Sequence, residues 1–357
     1  MALLKRSAQY LTRSMINWVD TYSPVPHHQL QADGTVADKA DLFRCLPFIL
    51  VHLVCFAVIW VGWSPVAVGV AVGLYLIRMF AITGWYHRYF SHRTFKTTRF
   101  WQFVFAALGN SSAQKGPLWW AAHHRHHHRY SDEPVDRHSP IQRGFVWSHV
   151  GWITSNSAFR TNAELVPDLV KFPELVWIDR FDSVIPFALG LSTFILGWVL
   201  NYLDPALGTG PWQMLIWGFF ISTVFTAHAT FTINSLSHVY GTRRYETTDT
   251  SKNNWILALL TLGEGWHNNH HHYMYSVRQS HRWYEIDITF YTLKVMSWMR
   301  IVWDLKPVPA HMLAGEAAPV RAPRNMPVVA NVVAVSTPAP VPAVIPSPLP
   351  AALEAAG

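Results

Sequence analysis

Four apolar stretches punctuate the chain, and each has the length of a membrane-spanning helix. Residues 46–63 carry no charge; Ser64-Pro65 breaks the run, and residues 66–83 resume it. Residues 184–202 and 212–231 form a second such pair. At about 1.5 Å per residue each stretch can cross a hydrocarbon core of about 30 Å. The connections within each pair are short, so the pattern predicts two helical hairpins. Two further apolar runs, 100–109 and 255–262, are too short to cross and are expected as interfacial or buried helices. Arg78 sits near the end of the second span, where its long stem can snorkel to the interface.

Charge decides the orientation. The loop at 203–211 contains no Lys or Arg, and neither does the break at Ser64-Pro65. Basic residues gather in the N-terminus, around 88–180 and after Arg243. The positive-inside rule therefore places both termini and the polar lobes on the cytoplasmic side. Residues 1–20 are basic and weakly amphipathic and form no signal-peptide core; an interfacial helix and a disordered tail both fit them. Residues 278–306, rich in Trp and Tyr, predict an amphipathic cytoplasmic helix. From Pro307 to Gly357 the sequence is Ala/Pro/Val-rich and is expected to be disordered. The expected layout is a segment at 1–44, a membrane domain at 45–306 and a tail at 307–357.

Composition agrees with the membrane assignment. Charged residues make up 14% of the 357 positions, well under the share of about 25% in soluble domains. The net charge of +7 in such a protein reports cytoplasmic Lys/Arg facing anionic lipid, not nucleic acid. Cys45 and Cys55 lie in or beside the first apolar run and suggest no disulfide framework or thiolate site.

The chemistry lies in the histidines. His87 and His92 make an H-x4-H box directly after the second span; His124, His127 and His128 make H-x2-H-H; His267, His270 and His271 repeat that spacing. Residues at i, i+3 and i+4 share one helical face, so each triplet can converge on one point. His238 follows the fourth span four residues after Asn234, on the same face. Neutral imidazole is a good ligand for Fe, Zn, Cu or Ni. A single box can be a solvated polar patch; three boxes in register with the spans point to one site built from distant segments.

The nine candidate ligands are His87, His92, His124, His127, His128, His238, His267, His270 and His271. They are too many for one tetrahedral zinc and suit two metals with open positions. Glu264 stands three residues before His267 but has no matching partner glutamates, so it is assigned a supporting role. His123, His126, His272 and His281 break the spacing and are expected to support the site or lie on the surface. A redox metal pair above an apolar bundle points to O2-dependent attack on a lipid-like chain, because acid–base side chains cannot break an unactivated C–H bond.

These boxes and their flanks resemble the membrane fatty acid desaturases of the Δ9 acyl-CoA/acyl-lipid type. The resemblance rests on Gly84-x-x-His87-Arg88-x-x-Ser91-His92-Arg93, on Gln114-x-Gly116-Pro117 with Trp120, and on His124-Arg125-x-His127-His128 with Ser131-Asp132. It continues through Asp136-x-His138-Ser139-Pro140, Gly144-Phe145-x-Trp147-Ser148-His149-x-Gly151-Trp152, Asn234-Ser235-x-x-His238 and Gly263-Glu264-Gly265-x-His267-Asn268-x-His270-His271. It covers roughly residues 45–306.

The resemblance implies an all-α integral membrane protein: four transmembrane helices in two hairpins, with a cytoplasmic helical cap carrying a histidine-rich di-metal site. It implies two iron ions held by the nine histidines, with Asn234 reaching one iron through a water. It also implies O2 as co-substrate and a cis double bond as product. The fatty acyl substrate, on CoA or on lipid, would lie in a bent apolar tunnel. The implied setting is a bacterial inner membrane. The tail has no haem-ligating pattern, so the electron donor is expected to be a separate ferredoxin, rubredoxin or flavin reductase.

Two departures bear on the acyl carrier. Animal acyl-CoA desaturases place Arg-Asp directly before the second box, where this chain has Ala122-His123. The basic pair that follows their His-x-Gly-Trp segment is replaced by Ile153-Thr154-Ser155-Asn156. Two other readings stay open at this point: a membrane di-iron hydroxylase of alkyl or acyl chains, and a histidine-rich metal transporter. Transport needs polar groups inside the spans, for which His228 and a few Ser and Thr of the fourth span are the candidates.

Overall fold

The computed structural model describes residues 2–22 and 38–314. Helices dominate, with one antiparallel pair of short strands, β1 (Lys96–Thr97) and β2 (Val302–Trp303), among the described residues. An N-terminal helix, α1 (Ala2–Asn17), is followed by α2 (Leu46–Val61) and α3 (Pro65–Ser91). Next come α4 (Arg99–Asn110), α5 (Pro117–Tyr130), α6 (Phe145–His149) and α7 (Pro173–Arg180). The second long pair is α8 (Val184–Leu203) and α9 (Pro211–Val239). The chain closes with α10 (Trp255–Leu260), α11 (His267–His272), α12 (Ile288–Trp298) and α13 (Ala310–Ala314).

Three helices, α3, α8 and α9, are long and apolar enough to cross a membrane. The expected first span is shorter than the 46–63 read from sequence. A 3-10 turn at Cys55–Ala57 interrupts α2, and Gly62 ends it with φ +67°. From 46 to 61, at about 1.5 Å per residue, α2 reaches about 24 Å, short of a hydrocarbon core of about 30 Å. Both hairpin turns meet at one end of the bundle. Gln213 Nε2 donates to Val61 O at 3.0 Å, Trp217 Nε1 to Gly62 O at 2.9 Å, and Ser64 and Thr209 share a hydroxyl hydrogen bond.

At the other end α3 and α9 run on past the apolar stretches into a lobe made by the remaining helices. Ser64 caps α3 by accepting from Ala67 N, with Pro65 at the first helical position. Residues Ala81–Ser91 of α3 are a π-helix. A π-turn closes i to i+5, and His92 N indeed bonds His87 O at 3.3 Å. An H-x4-H pair would diverge on an α-helix; the wider turn returns both side chains to one face. The lobe core packs around α3: Trp85 stacks on Phe105 at 4.0 Å, and Phe90, Leu118 and Ile178 are fully buried.

Three expectations need correction. Arg78 does not snorkel: it is buried, donates to Thr223 Oγ1 at 2.7 Å, Ser111 O and Ser222, and so finds inside the protein the partners that headgroups would offer. Residues 278–306 are not one helix; only Ile288–Trp298 is helical. Glu285 accepts from the backbone N–H of His281 and Arg282, and Asp287 from those of Gln279 and Phe290, which holds the preceding segment in turns. Packing also continues past Pro307: Met312 is buried, its carbonyl accepts from Tyr245 Oη, and Leu313 O accepts from Arg282. Of the tail expected to be disordered, residues 315–357 lie outside the described part.

Candidate metal centre

All nine candidate histidines meet at the end of α3 and α9 that faces the lobe. They form two clusters, in each of which the ligand atoms lie within 4.8 Å of one another. One contains His87, His92, His124, His128 and His270; the other contains His127, His238, His267 and His271. Helix α5 supplies both clusters from adjacent turns, and α11 does the same from the opposite side. The expectation that each H-x2-H-H triplet converges on one point needs correction. The i, i+4 pairs His124/His128 and His267/His271 each stay in one cluster, while the i+3 members His127 and His270 turn to the other, since i+3 and i+4 lie about 100° apart around a helix. His127 and His128, neighbours in sequence, point into different clusters, as do His270 and His271.

The ring nitrogens face each other closely. His87 Nε2 lies 2.9 Å from His270 Nε2, His270 Nε2 2.9 Å from His128 Nε2, His92 Nε2 2.8 Å from His124 Nε2, and His238 Nε2 3.1 Å from His267 Nε2. Two imidazole nitrogens bound at right angles to one ion at about 2.1 Å would stand about 3 Å apart, which is the spacing found.

The opposite ring nitrogens explain why the lone pairs point inward. His127 Nδ1 bonds Asp136 at 2.9 Å, His238 Nδ1 bonds Asp132 at 3.1 Å, His271 Nδ1 bonds Asp249 at 2.7 Å, and His87 Nδ1 pairs with Glu264. A carboxylate accepts only, so each Nδ1 carries a hydrogen, and in the neutral, ligating ring Nε2 carries the lone pair. His271 Nε2 and His267 Nδ1 are buried and bond no protein group. The donor set fits metal ions.

Electrostatics point the same way. Burial, reinforced by neighbouring imidazoles, pushes His92, His124, His128, His267 and His270 well below the usual histidine range, so they are neutral. His127 is the exception: burial opposes its charge, but Asp136 outweighs burial and raises it. Burial raises the carboxylates, yet their histidine partners win: Asp132, Asp136 and Asp249 lie far below the ordinary range and Glu264 is lowered to about 2.

Glu264 has the supporting role read from sequence. With Asp287 it neutralises the fully buried Arg88, whose Nη1 also donates to Val277 O at 2.8 Å. The glycines around it are steric necessities: a Cβ on Gly263 would overlap Asp287, and one on Gly265 the backbone of Ala258. Removing one member of such a buried network leaves an unpaired charge, at a cost of about 3–5 kcal/mol. Arg88→Leu is therefore expected to lower the melting temperature of the purified protein, even in zinc-free buffer; an unchanged transition would refute this account of the network.

His123 packs on Trp119 and Trp152, His126 on Tyr130, His272 stacks on Tyr245, and His281 bonds the Tyr245 hydroxyl. None of the four joins a cluster. The sequence reading gave no role to Asp132, Asp136 and Asp249. The first two lie in motifs quoted above, but Asp249 stands 22 residues from His271 with no periodic link. His138, beside Asp136 and His127, forms a third acid–histidine group that was also missed.

Between the clusters and the spans lies a cavity of about 320 Å³. Phe48, Val51, Phe219 and Phe231 give it an apolar wall, and His124 and Asn234 border it on the metal side. Helices able to span a membrane, a histidine-rich metal centre and an apolar cavity together define a membrane enzyme acting on a lipid-like chain. The family profile described as Fatty acid desaturase matches residues 61–294, and the chain belongs to that family. It is 37% identical over 269 residues to an sn-1 stearoyl-lipid 9-desaturase of Synechocystis, covering 75% of this chain and 80% of the relative. It is 33% identical over 298 residues to one of Anabaena variabilis, covering 83% and 96%. An acyl-CoA 5-desaturase of Anemone leveillei is 34% identical over 278 residues, covering 76% and 81%. The chain is thus a fatty acid desaturase, an oxidoreductase of lipid metabolism.

Proposed function

We propose that this desaturase introduces a cis double bond at the Δ9 position of a saturated acyl chain carried on a membrane lipid, using O2 and two electrons from an external donor. The observation that carries the reading is the pair of histidine clusters bordering an apolar cavity. The proposed occupants are two iron ions. His87, His92, His124, His128 and His270 would hold one; His127, His238, His267 and His271 would hold the other, and Asn234 would reach one of the two through a water. Bound iron supplies the O2-derived oxidising power that an unactivated C–H bond demands.

The chain's own residues do the rest. Glu264, Asp132, Asp136 and Asp249 fix four imidazoles in the ligating tautomer. The apolar wall accepts the acyl chain, excludes water and holds one stretch of methylenes against the clusters. Two things support a lipid carrier over CoA. One is the lipid-desaturase name of the 37% identical relative, shared by the one at 33% though not by the acyl-CoA desaturase at 34%. The other is the uncharged Ala122-His123 and Ile153-Thr154-Ser155-Asn156 where acyl-CoA desaturases carry charge. The donor is a ferredoxin, a rubredoxin or a flavin reductase, reaching the site from the cytoplasmic face of a bacterial inner membrane, where both termini also lie.

The test is mass spectrometry of derivatised fatty acids from cells that lack their own desaturase and express this chain. A new Δ9 cis monoene, found first in the phospholipid pool, is the expected result. Hydroxylated chains without monoene, from iron-loaded protein supplied with donor, would overturn it in favour of a hydroxylase.

A further inference from the structure

Outside the metal clusters, three more histidines form a chain along the cavity. His52 lies on α2, His228 on α9 and His149 on α6. His52 Nδ1 is 2.8 Å from Phe48 O, and its Nε2 is 3.0 Å from His228 Nε2. His228 Nδ1 is 3.0 Å from His149 Nε2, and His149 Nδ1 is 2.9 Å from Ser235 Oγ, which also lies 3.0 Å from Phe231 O. Every ring nitrogen is bonded within the chain, so none is left for a metal or another ligand. No carboxylate, lysine or arginine bonds any of the three among the described residues.

The end groups restrict where the hydrogens can lie. A carbonyl only accepts, so His52 Nδ1 carries a hydrogen. In the neutral chain His52 Nε2 must then accept, and every donor points one way: Ser235 Oγ to His149 Nδ1, His149 Nε2 to His228 Nδ1, His228 Nε2 to His52 Nε2. One added proton, on His52 Nε2, reverses all of these. His52 then donates to His228 Nε2, His228 Nδ1 to His149 Nε2, His149 Nδ1 to Ser235 Oγ, and Ser235 to Phe231 O. Both states satisfy every ring nitrogen, and they differ by one proton.

We propose that His52, His228 and His149 are a one-proton relay that feeds the desaturation site. The proposal rests on the desaturase reading above, in which O2, two electrons, two protons and two hydrogens from the acyl chain become two waters and a double bond. An acyl chain filling the cavity excludes the water that would otherwise carry those protons. The relay runs beside the cavity: His52 lines it, His149 and His228 are half-exposed, and Ser235 adjoins Asn234, which borders it. Loading, from cavity water before the acyl chain enters, is the reverse of discharge. In discharge, Ser235 turns its O–H away from Phe231 O, gives its proton to the water proposed at Asn234 and takes the Nδ1 proton of His149. His149 takes the Nδ1 proton of His228, and His228 takes the Nε2 proton of His52. The cation is neutralised, one proton has been delivered, and only N–H and O–H bonds have changed.

Two measurements test this. The first is nitrogen NMR of the full chain, labelled at histidine and supplied with zinc, titrated with acid. His149 and His228 are expected to shift their hydrogen from Nε2 to Nδ1 together, with a single proton taken up at His52; tautomers that stay fixed, or that change separately, would overturn the relay. The second uses iron-loaded enzyme. His228→Gln can bridge its neighbours but cannot pass a proton, and its rate per bound iron is expected to fall about tenfold or more at unchanged substrate half-saturation. Imidazole should restore His228→Ala, and 1-methylimidazole, which has no N–H, should not. A full rate in His228→Gln, or equal rescue by both additives, would show that His228 serves packing alone. If the wild type forms no double bond, the desaturase reading fails, and the NMR titration still decides the relay.

Discussion

Alanine at His270 is expected to abolish double-bond formation and to lower bound iron from two per chain toward one. His270 Nε2 stands 2.9 Å from both His87 Nε2 and His128 Nε2, so it joins the boxes carried by α3 and α5. It is buried at the centre of the first cluster. His127→Ala should do the same to the second cluster. The control is His126→Ala: this ring packs on Tyr130, belongs to neither cluster, and its loss should leave metal and turnover near wild type. Metal analysis together with fatty acid profiling reads all three variants. Wild-type product and two irons per chain in either ligand variant would sink the assignment.

Much of this centre could be read from spacing because a helix converts spacing into direction. His124 and His128 stand one turn apart on α5 and reach the same cluster, as the periodicity of 3.6 suggests, but the division of the triplet, with His127 in the other cluster, was not legible from spacing alone. The H-x4-H box was legible as chemistry but not as geometry, since its convergence depends on the π-turn at Ala81–Ser91, for which no local rule exists. The carboxylates were hidden for another reason. Asp249 reaches His271 through the fold of a loop, and Asp132 reaches His238 across 106 residues. Arg78 misled for the same reason: its partners Ser222 and Thr223 lie on a different helix. The apolar stretch at 278–306 looked helical by composition, but Glu285 and Asp287 capture the backbone N–H groups that a helix would have used.

The hidden carboxylates give the sharpest test of the centre, because one of them can be changed without changing shape. Asp249 Oδ2 accepts from His271 Nδ1 at 2.7 Å, and its Oδ1 accepts from Ser251 N at 2.9 Å. Ser251 N is an obligate donor, so an asparagine here must keep its oxygen on that side and turn its NH2 toward His271. That NH2 needs an acceptor. His271 Nδ1 must then give up its hydrogen, the hydrogen moves to Nε2, and the ring loses the lone pair that faces its cluster. The alternative rotamer sets NH2 against the Ser251 N–H and loses that hydrogen bond instead. Either way Asp249→Asn is expected to weaken metal binding in the second cluster by about 10–100-fold, the usual consequence of losing the carboxylate behind a ligating histidine. Competition with a chelator reads the affinity, and double-bond formation should fall with occupancy. Unchanged affinity in Asp249→Asn would mean that His271 does not ligate through Nε2, and the second iron would need a different ligand set.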